Sequence, residues 1–317
     1  MFSVFVLSWL NFTMSRSFDI VGLGCAAVDD LLYVPSYPPA DAKVQIRRRE
    51  RQGGGLTATA LVAAARLGSR CAYAGVLGED ELSQFLHQRF QREGVDVSLI
   101  RHRPDARPIH SIIVVDESTQ TRNIFYDLEG VYGAEPGWPD EATIRSAGAL
   151  FVDHFGVEGM TWAVRIAREA GVPVVADFER GEMPGFLDLL ALVDHLIVSR
   201  DFTATLTGES DLATGAAKLW RDDRKAVVVT AGEEGCWYVL TGQPPRHQPA
   251  FAVQTVDTTG CGDVFHGAYA SALVRGLAIP EAVRFASATA AIKATRRGGQ
   301  DGAPTRAEVE GLLQGTR

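Results

Sequence analysis

Asp257-Thr258-Thr259-Gly260-Cys261-Gly262-Asp263 runs straight into Val264, Ala268, Tyr269, Ala272 and Leu273, apolar residues at helical spacing. A Gly-x-Gly turn that opens a helix leaves several backbone N–H groups aimed at one point, and the helix dipole adds partial positive charge there. Gly260, Cys261 and Gly262 therefore form a candidate anion hole for a phosphate or for a phosphoryl group in transfer. Asp263 would stand at the same helix start, where a carboxylate can take the proton of an alcohol as its oxygen attacks phosphorus. Asp is also a good helix N-cap, and a lone Gly-x-Gly-Asp would leave that plainer role ahead. The length of the specified stretch changes the balance: from average residue usage, a chance match somewhere in such a chain is on the order of 10⁻⁵.

Outward from this stretch, short apolar runs alternate with amphipathic ones. Residues 18–22, 72–76, 149–152, 173–176, 195–198 and 226–230 each read as a brief buried strand. The spacing of Leu82, Phe85, Leu86 and Phe90 predicts a helix stopped by Gly94, and residues 161–170 predict another that ends at Gly171. This alternation argues for an α/β fold: a large, mostly parallel sheet with helices on both faces. Residues 31–51 and 109–128 break the pattern with period-two apolar positions (Val44, Ile46; Ile112, Val114; Ile124, Tyr126) and no helix between them. They read as antiparallel strands of a small separate sheet, a lid able to cover a substrate. The Pro-rich residues 242–249 read as a surface loop.

The chain has 317 residues, 46% hydrophobic, with a formal net charge of −8. That length can bury a sizeable core, while the acidic balance argues against nucleic acid, whose phosphates reward clustered Lys and Arg. The run Arg47-Arg48-Arg49 is broken by Glu50 and reads as a solvated face. Cys25, Cys71, Cys236 and Cys261 lie far apart without CxxC or zinc-like spacing, as expected of reduced, mostly buried thiols in the cytoplasm. Residues 1–10 are apolar, yet they lack a basic n-region and are too short to span a bilayer. With Met14 ahead of the first globular strand, residues 1–17 read as an extension outside a domain of residues 18–317, the start at Met1 or Met14 being left open. No other segment suggests a membrane span.

Residues 257–263 resemble the DTTGAGD signature of the ribokinase (PfkB) family of carbohydrate kinases, with Cys261 where Ala is usual. The resemblance runs from about Phe18 to the C-terminal region. Gly53-Gly54-Gly55 ahead of residues 58–67 and Gly68 is similar to the family's Gly-Gly signature and its Ala-rich helix. The resemblance implies a ribokinase-like fold and transfer of the γ-phosphoryl group of ATP to a small-molecule sugar. It also implies Mg2+ carried with the ATP, a monovalent cation as a further candidate, and Asp263 as general base. It assigns Asp29 to substrate hydroxyls and Gly54 and Gly55 to close contact with the sugar, where a missing side chain admits it. Thr59, which falls where many members have Asn, is likewise assigned to the substrate. Thr230, Gly232 and Gly235 resemble the strand and turn bordering the nucleotide, and Gly298, Gly299, Ala303 and Pro304 the segment near the adenine.

Two departures stand out. Many members carry an Asn-x-x-Glu motif that organises Mg2+ through water, but here the stretch reads Ser199-Arg200-Asp201-Phe202, so no residue is assigned to the metal. Residues 246–251, 264–267, 283–287 and 295–299 are similar to the branch that contains sulfofructose kinase. Lys43, on an expected lid strand, would meet an anionic substrate end. Yet Phe125, and His154 or Phe155, fall where that branch places polar sulfonate partners, and a bidentate Arg is hard to replace with His or Phe. Asp153, at the end of an expected strand, is a further candidate for a substrate hydroxyl.

The leading expectation is a kinase of a neutral ketose or pentose. The alternatives are a sulfofructose kinase, a kinase of a nucleoside or another alcohol, and a non-catalytic sugar-binding protein. The intact Asp263 argues against the last, since a sensor has no use for a base. Free lid edges could also pair two copies of the chain.

Overall fold

The computed structural model describes residues 17–119 and 121–315. The expectations for residues 1–16, the start included, lie outside the described residues. In chain order the strands are β1 (Ile20–Leu23), β2 (Ala27–Val34), β3 (Arg48–Gly54), β4 (Cys71–Tyr73), β5 (Val76–Leu77), β6 (Arg101–His102), β7 (Ile109–Asp116), β8 (Thr121–Asp127), β9 (Ala149–Val152), β10 (Val174–Phe178), β11 (His195–Ser199), β12 (Ala226–Thr230), β13 (Cys236–Leu240) and β14 (Arg246–Gln248). The helices are α1 (Leu56–Arg66), α2 (Glu81–Arg92), α3 (Glu141–Ser146), α4 (Val157–Glu169), α5 (Phe186–Leu192), α6 (Arg200–Thr207), α7 (Leu212–Leu219), α8 (Cys261–Val274), α9 (Ile279–Ala294) and α10 (Arg306–Gly315).

Runs such as Ala-Val-Val-Val-Thr in β12 are apolar on both faces, which suits a strand covered on both sides. They build a sheet in the order β14-β13-β12-β11-β10-β9-β1-β4, parallel from β4 to β12, with β13 and β14 added antiparallel at one edge. Alternate side chains divide the core. Ile20, Phe151, Val175, Ile197 and Val228 face α1, α8 and α9, whereas Val21, Leu150, Val174, Leu196 and Val227 face the helices of residues 141–219. The α/β reading from periodicity is therefore the fold observed. Residues 242–249 are not all loop: Arg246–Gln248 add the edge strand β14, held by pairing with β13.

The lid is a separate sheet in the order β3-β2-β7-β8. It differs from the expectation in three ways. It begins at Ala27 rather than at residue 31, so Asp29 stands on a lid strand. β2 and β7 pair in parallel, with only β3 and β8 antiparallel to their neighbours. Residues 42–46 form no strand, because β2 pairs with β3 from Tyr33 opposite Arg48, which leaves that stretch, Val44 and Ile46 included, in the exposed connection. Asp30 braces the lid from inside: Arg51 donates to both its oxygens at 2.8 and 2.9 Å, and His110 Nε2 lies 3.0 Å away. The Arg51 bonds hold the Asp30 carboxyl down at about 2.

Candidate active site

The chain leaves β1 into the lid and returns through α1 to β4, while β9 adds on the other side of β1. The crevice at the carboxyl ends of β1 and β9 is thus the point where the winding reverses, which is where open α/β sheets bind ligands. A cavity of about 460 Å³ lies there, between the two sheets. Its floor comes from the strand ends (Cys25, His154, Phe155), its roof from the lid (Asp29, Ser111, Tyr126), and one wall from Thr258, Gly260, Gly262 and Asp263.

The wall is the signature loop entering α8. Gly260 caps the helix with φ +70, a left-handed conformation that costs glycine little. A Cβ at this position would fall 2.8 Å from the Cα of Gly299, so the two loops touch backbone to backbone. Val264 N–H donates to Gly260 O at 2.9 Å, the first turn of the helix proper. The Cys261 amide is already taken, donating to Thr258 O at 3.2 Å, and its thiol turns away toward Ala290 O. This corrects the anion-hole expectation. The turn consumes the Cys261 amide, and Cys261 does not line the cavity, whereas Gly260, Gly262 and Asp263 do.

Carboxylates crowd the site. Burial pushes the Asp263 pKa well up, and the charges of Glu179, Asp29 and Asp153 push it further. Burial likewise raises Asp29, against the hydrogen bond from Ser111 and the nearby His110. Glu179 is also raised by burial, with Arg180 opposing. Such a group of acids favours the arrival of a cation. Among the described residues no three acid, thiol or imidazole groups converge to cage a metal. Mg2+ commonly reaches such a site on phosphate oxygens while keeping several of its waters. Asp201, the nearest remnant of the Asn-x-x-Glu motif, sits exposed in the first turn of α6, while Glu179 lines the cavity.

Three expected substrate contacts are placed elsewhere. Lys43 lies exposed in the β2–β3 connection and does not line the cavity. Thr59 is buried in α1 with its hydroxyl against Gln300 Nε2 at 3.5 Å. Asp153 is fully buried and spent on the fold: its Oδ2 accepts from Cys25 N and Thr57 Oγ1, both at 2.8 Å, and its Oδ1 from Phe155 N at 2.7 Å. Phe125 does not line the cavity, because strand alternation gives it to Ile124, Tyr126 and Leu128. His154 does line it, with a pKa lowered to about 4 by burial and by Arg180, so the ring is neutral.

Neither Glu179 nor Arg180 is among the expected site residues, yet both line the cavity. The available signal was their place just after the buried strand run Val174–Phe178, since the carboxyl ends of parallel strands carry ligand contacts. Arg180 lines the cavity and donates to Tyr126 Oη at 3.3 Å, joining the large sheet to the lid.

The pfkB family carbohydrate kinase model matches residues 19–306. The chain belongs to that family. This carbohydrate kinase is 28% identical over 299 residues to a ribokinase of Haemophilus influenzae, covering 92% of this chain and 97% of the relative. It is 28% identical over 323 residues to probable fructokinase-4 of Arabidopsis thaliana, covering 93% and 97%. The solved Arabidopsis thaliana ribokinase complexed with ribose and ATP superimposes with a TM-score of 0.81 at 25% identity, over 94% of this chain and 99% of that one. In this kinase Thr230, Gly232 and Gly235, expected on the nucleotide side, lie at the end of β12 and in the turn after it, three strands along the sheet from β9. Thr230 ends β12 opposite Ser199, Gly232 turns with φ +58, and Gly235 has φ +92 where a Cβ would strike Gln248 O at 2.1 Å. None of the described helices is long and apolar enough to cross a membrane.

Proposed function

We propose that this kinase transfers the γ-phosphoryl group of ATP to a hydroxyl of a neutral ketose or pentose. The observation that carries the reading is the first turn of α8. There Gly260, Gly262 and Asp263 together line one cavity of about 460 Å³, a size suited to a small ligand. The substrate oxygen attacks the γ-phosphorus, the bond to the β-phosphate oxygen breaks, ADP leaves, and the hydroxyl proton passes to Asp263. Asp29 accepts hydrogen bonds from neighbouring hydroxyls, and Gly54 and Gly55 let the ring approach the backbone. Thr230, Gly232, Gly235 and Gly299 border the nucleotide. Mg2+ enters with ATP, and Glu179 is the group placed to hold its water. The outer lid strand β8 is exposed along its whole length, with Ile124, Phe125 and Tyr126 about half open, and a second copy of the chain would cover it.

Arg180 favours a second reading. A guanidinium on the cavity wall suits a substrate with an acidic end, sulfofructose among them. An ADP-release assay over fructose, ribose, sulfofructose and nucleosides separates the two. The neutral-sugar reading expects fructose or ribose to lead. A preference for sulfofructose of 100-fold or more in kcat/KM, about 2.7 kcal/mol, abolished in Arg180→Ala, would establish the second reading instead.

A further inference from the structure

Lys293 is wholly buried near the end of α9, and the proposed phosphoryl transfer makes no use of it. Its Nζ donates to the carbonyl oxygens of Asp257 at 2.8 Å and Arg296 at 3.4 Å, and stands 3.8 Å from Asp257 Oδ2. A buried ammonium is costly unless it is compensated. Here the compensation comes from the start of the anion-hole loop and from the turn after α9. Asp257 completes the connection: its Oδ1 accepts from Thr259 N and its Oδ2 from Gly298 N, both at 2.8 Å. Room for the lysine depends on Gly302, where a Cβ would fall 3.1 Å from Lys293 Cε and 3.2 Å from Arg296 O.

Backbone carbonyls and a carboxylate converging beneath a phosphate-binding loop are the donor set a monovalent cation would take, and the family resemblance raised such a cation. The arrangement does not fit an added ion. The ammonium already stands among those oxygens, and a second positive charge beside it would be strongly repelled. We infer that Lys293 is an internal cation: its ammonium ties residues 257–263 to the 296–302 turn, so that this kinase needs no monovalent ion to set its anion hole. The position suits a fixed positive charge, since the carboxyl end of a helix favours cations. Burial lowers the Lys293 pKa, and Cys261 and Asp257 pull it back up.

The inference rests on the proposed anion hole, so its test includes a readout that needs no sugar. Thermal melting, MgADP affinity and turnover are measured in potassium chloride and in tetramethylammonium chloride at matched ionic strength. The wild-type protein should behave alike in both. Lys293→Ala should melt lower and bind MgADP about tenfold or more weakly in tetramethylammonium, because hydrogen bonds to a charged group are among the stronger ones. Potassium should restore both properties by entering the vacated space. Lys293→Met, which keeps the stem and removes the charge, should not be restored. A wild-type protein that melts higher or turns over faster in potassium would overturn the inference, even if neither variant folds. A folded Lys293→Ala that needs no ion, or that potassium fails to restore, would overturn it too. If the melting and MgADP results hold while no sugar is phosphorylated, the substrate reading has failed and this inference has not.

Discussion

The carboxylate of Asp29 occupies the space where a side chain on Gly54 would begin: a Cβ there would lie 2.4 Å from its Oδ2. The two residues sit on paired lid strands, with Asp29 opposite Gln52 and Ala27 opposite Gly54. Glycine at position 54 is what allows Asp29 to point into the cavity. Gly54→Ala should therefore swing the carboxylate away and leave the fold intact, because only the end of a side chain has to move. We expect KM for the sugar to rise about 10- to 100-fold, the equivalent of a hydrogen bond to a charged group at about 1.5–3 kcal/mol. The melting temperature should barely change. Steady-state kinetics beside a melting curve checks this, and an unchanged KM would remove Asp29 from the substrate site.

Asp263→Asn should cut kcat by about 10²–10⁴-fold, the usual contribution of a general base, while ATP affinity measured by titration stays near the wild-type value. Near wild-type turnover would end its assignment as the base.

The raised pKa of Asp263 also has a kinetic signature. A base must be ionised to accept a proton, so kcat/KM should climb with pH through a value above the ordinary carboxylate range of about 4. An acid limb centred on the ordinary value would show that the free enzyme holds Asp263 ionised.

Asp153 should couple stability to pH. Its carboxyl is raised to about 6, burial outweighing the hydrogen bonds from Phe155, Cys25 and Thr57. A folded-state pKa above the unfolded one means the native protein holds the extra proton. The stabilisation is then full below the unfolded value of about 3.9 and is lost as pH rises through the folded one. Asp153→Asn should flatten that decline between roughly pH 4 and 6, at a cost of about 1–3 kcal/mol for facing an amide NH2 toward backbone donors. Denaturant unfolding of both proteins across this range provides the measurement. Parallel pH profiles would mean that Asp153 does not titrate there.

Cys261 should prove dispensable and unreactive. Burial pushes its thiol up to about 11 against the pull of Lys293, and reactivity follows the thiolate. Cys261→Ala should keep the wild-type kcat, and iodoacetamide near pH 7 should leave the wild-type enzyme active. Loss of activity in the alanine variant would point to thiol chemistry at the site.

The sequence by itself determined the parallel sheet, the separate lid and the helix start that carries Asp263. These are local properties: an apolar run of four residues at β12, a period of two, or a glycine turn entering a helix is complete within a short window. The tertiary structure alone decided how the polar groups are spent. Asp153 looked available at its strand end, yet its Oδ2 is filled by Cys25 and Thr57, which lie 128 and 96 residues away in sequence. Lys43 looked like the anion reader, whereas the register of β2 with β3 left it in solvent and the end of β10 brought Arg180 to the wall. Lys293 gave no signal beyond a lysine near a helix end, because what distinguishes it is a cluster of carbonyl oxygens that exists only once α9, the 257–263 loop and the 296–302 turn have packed together. A residue's type sets what it can donate or accept. Which partners reach it is set by the three-dimensional packing of distant segments, and buried polar groups are satisfied there first.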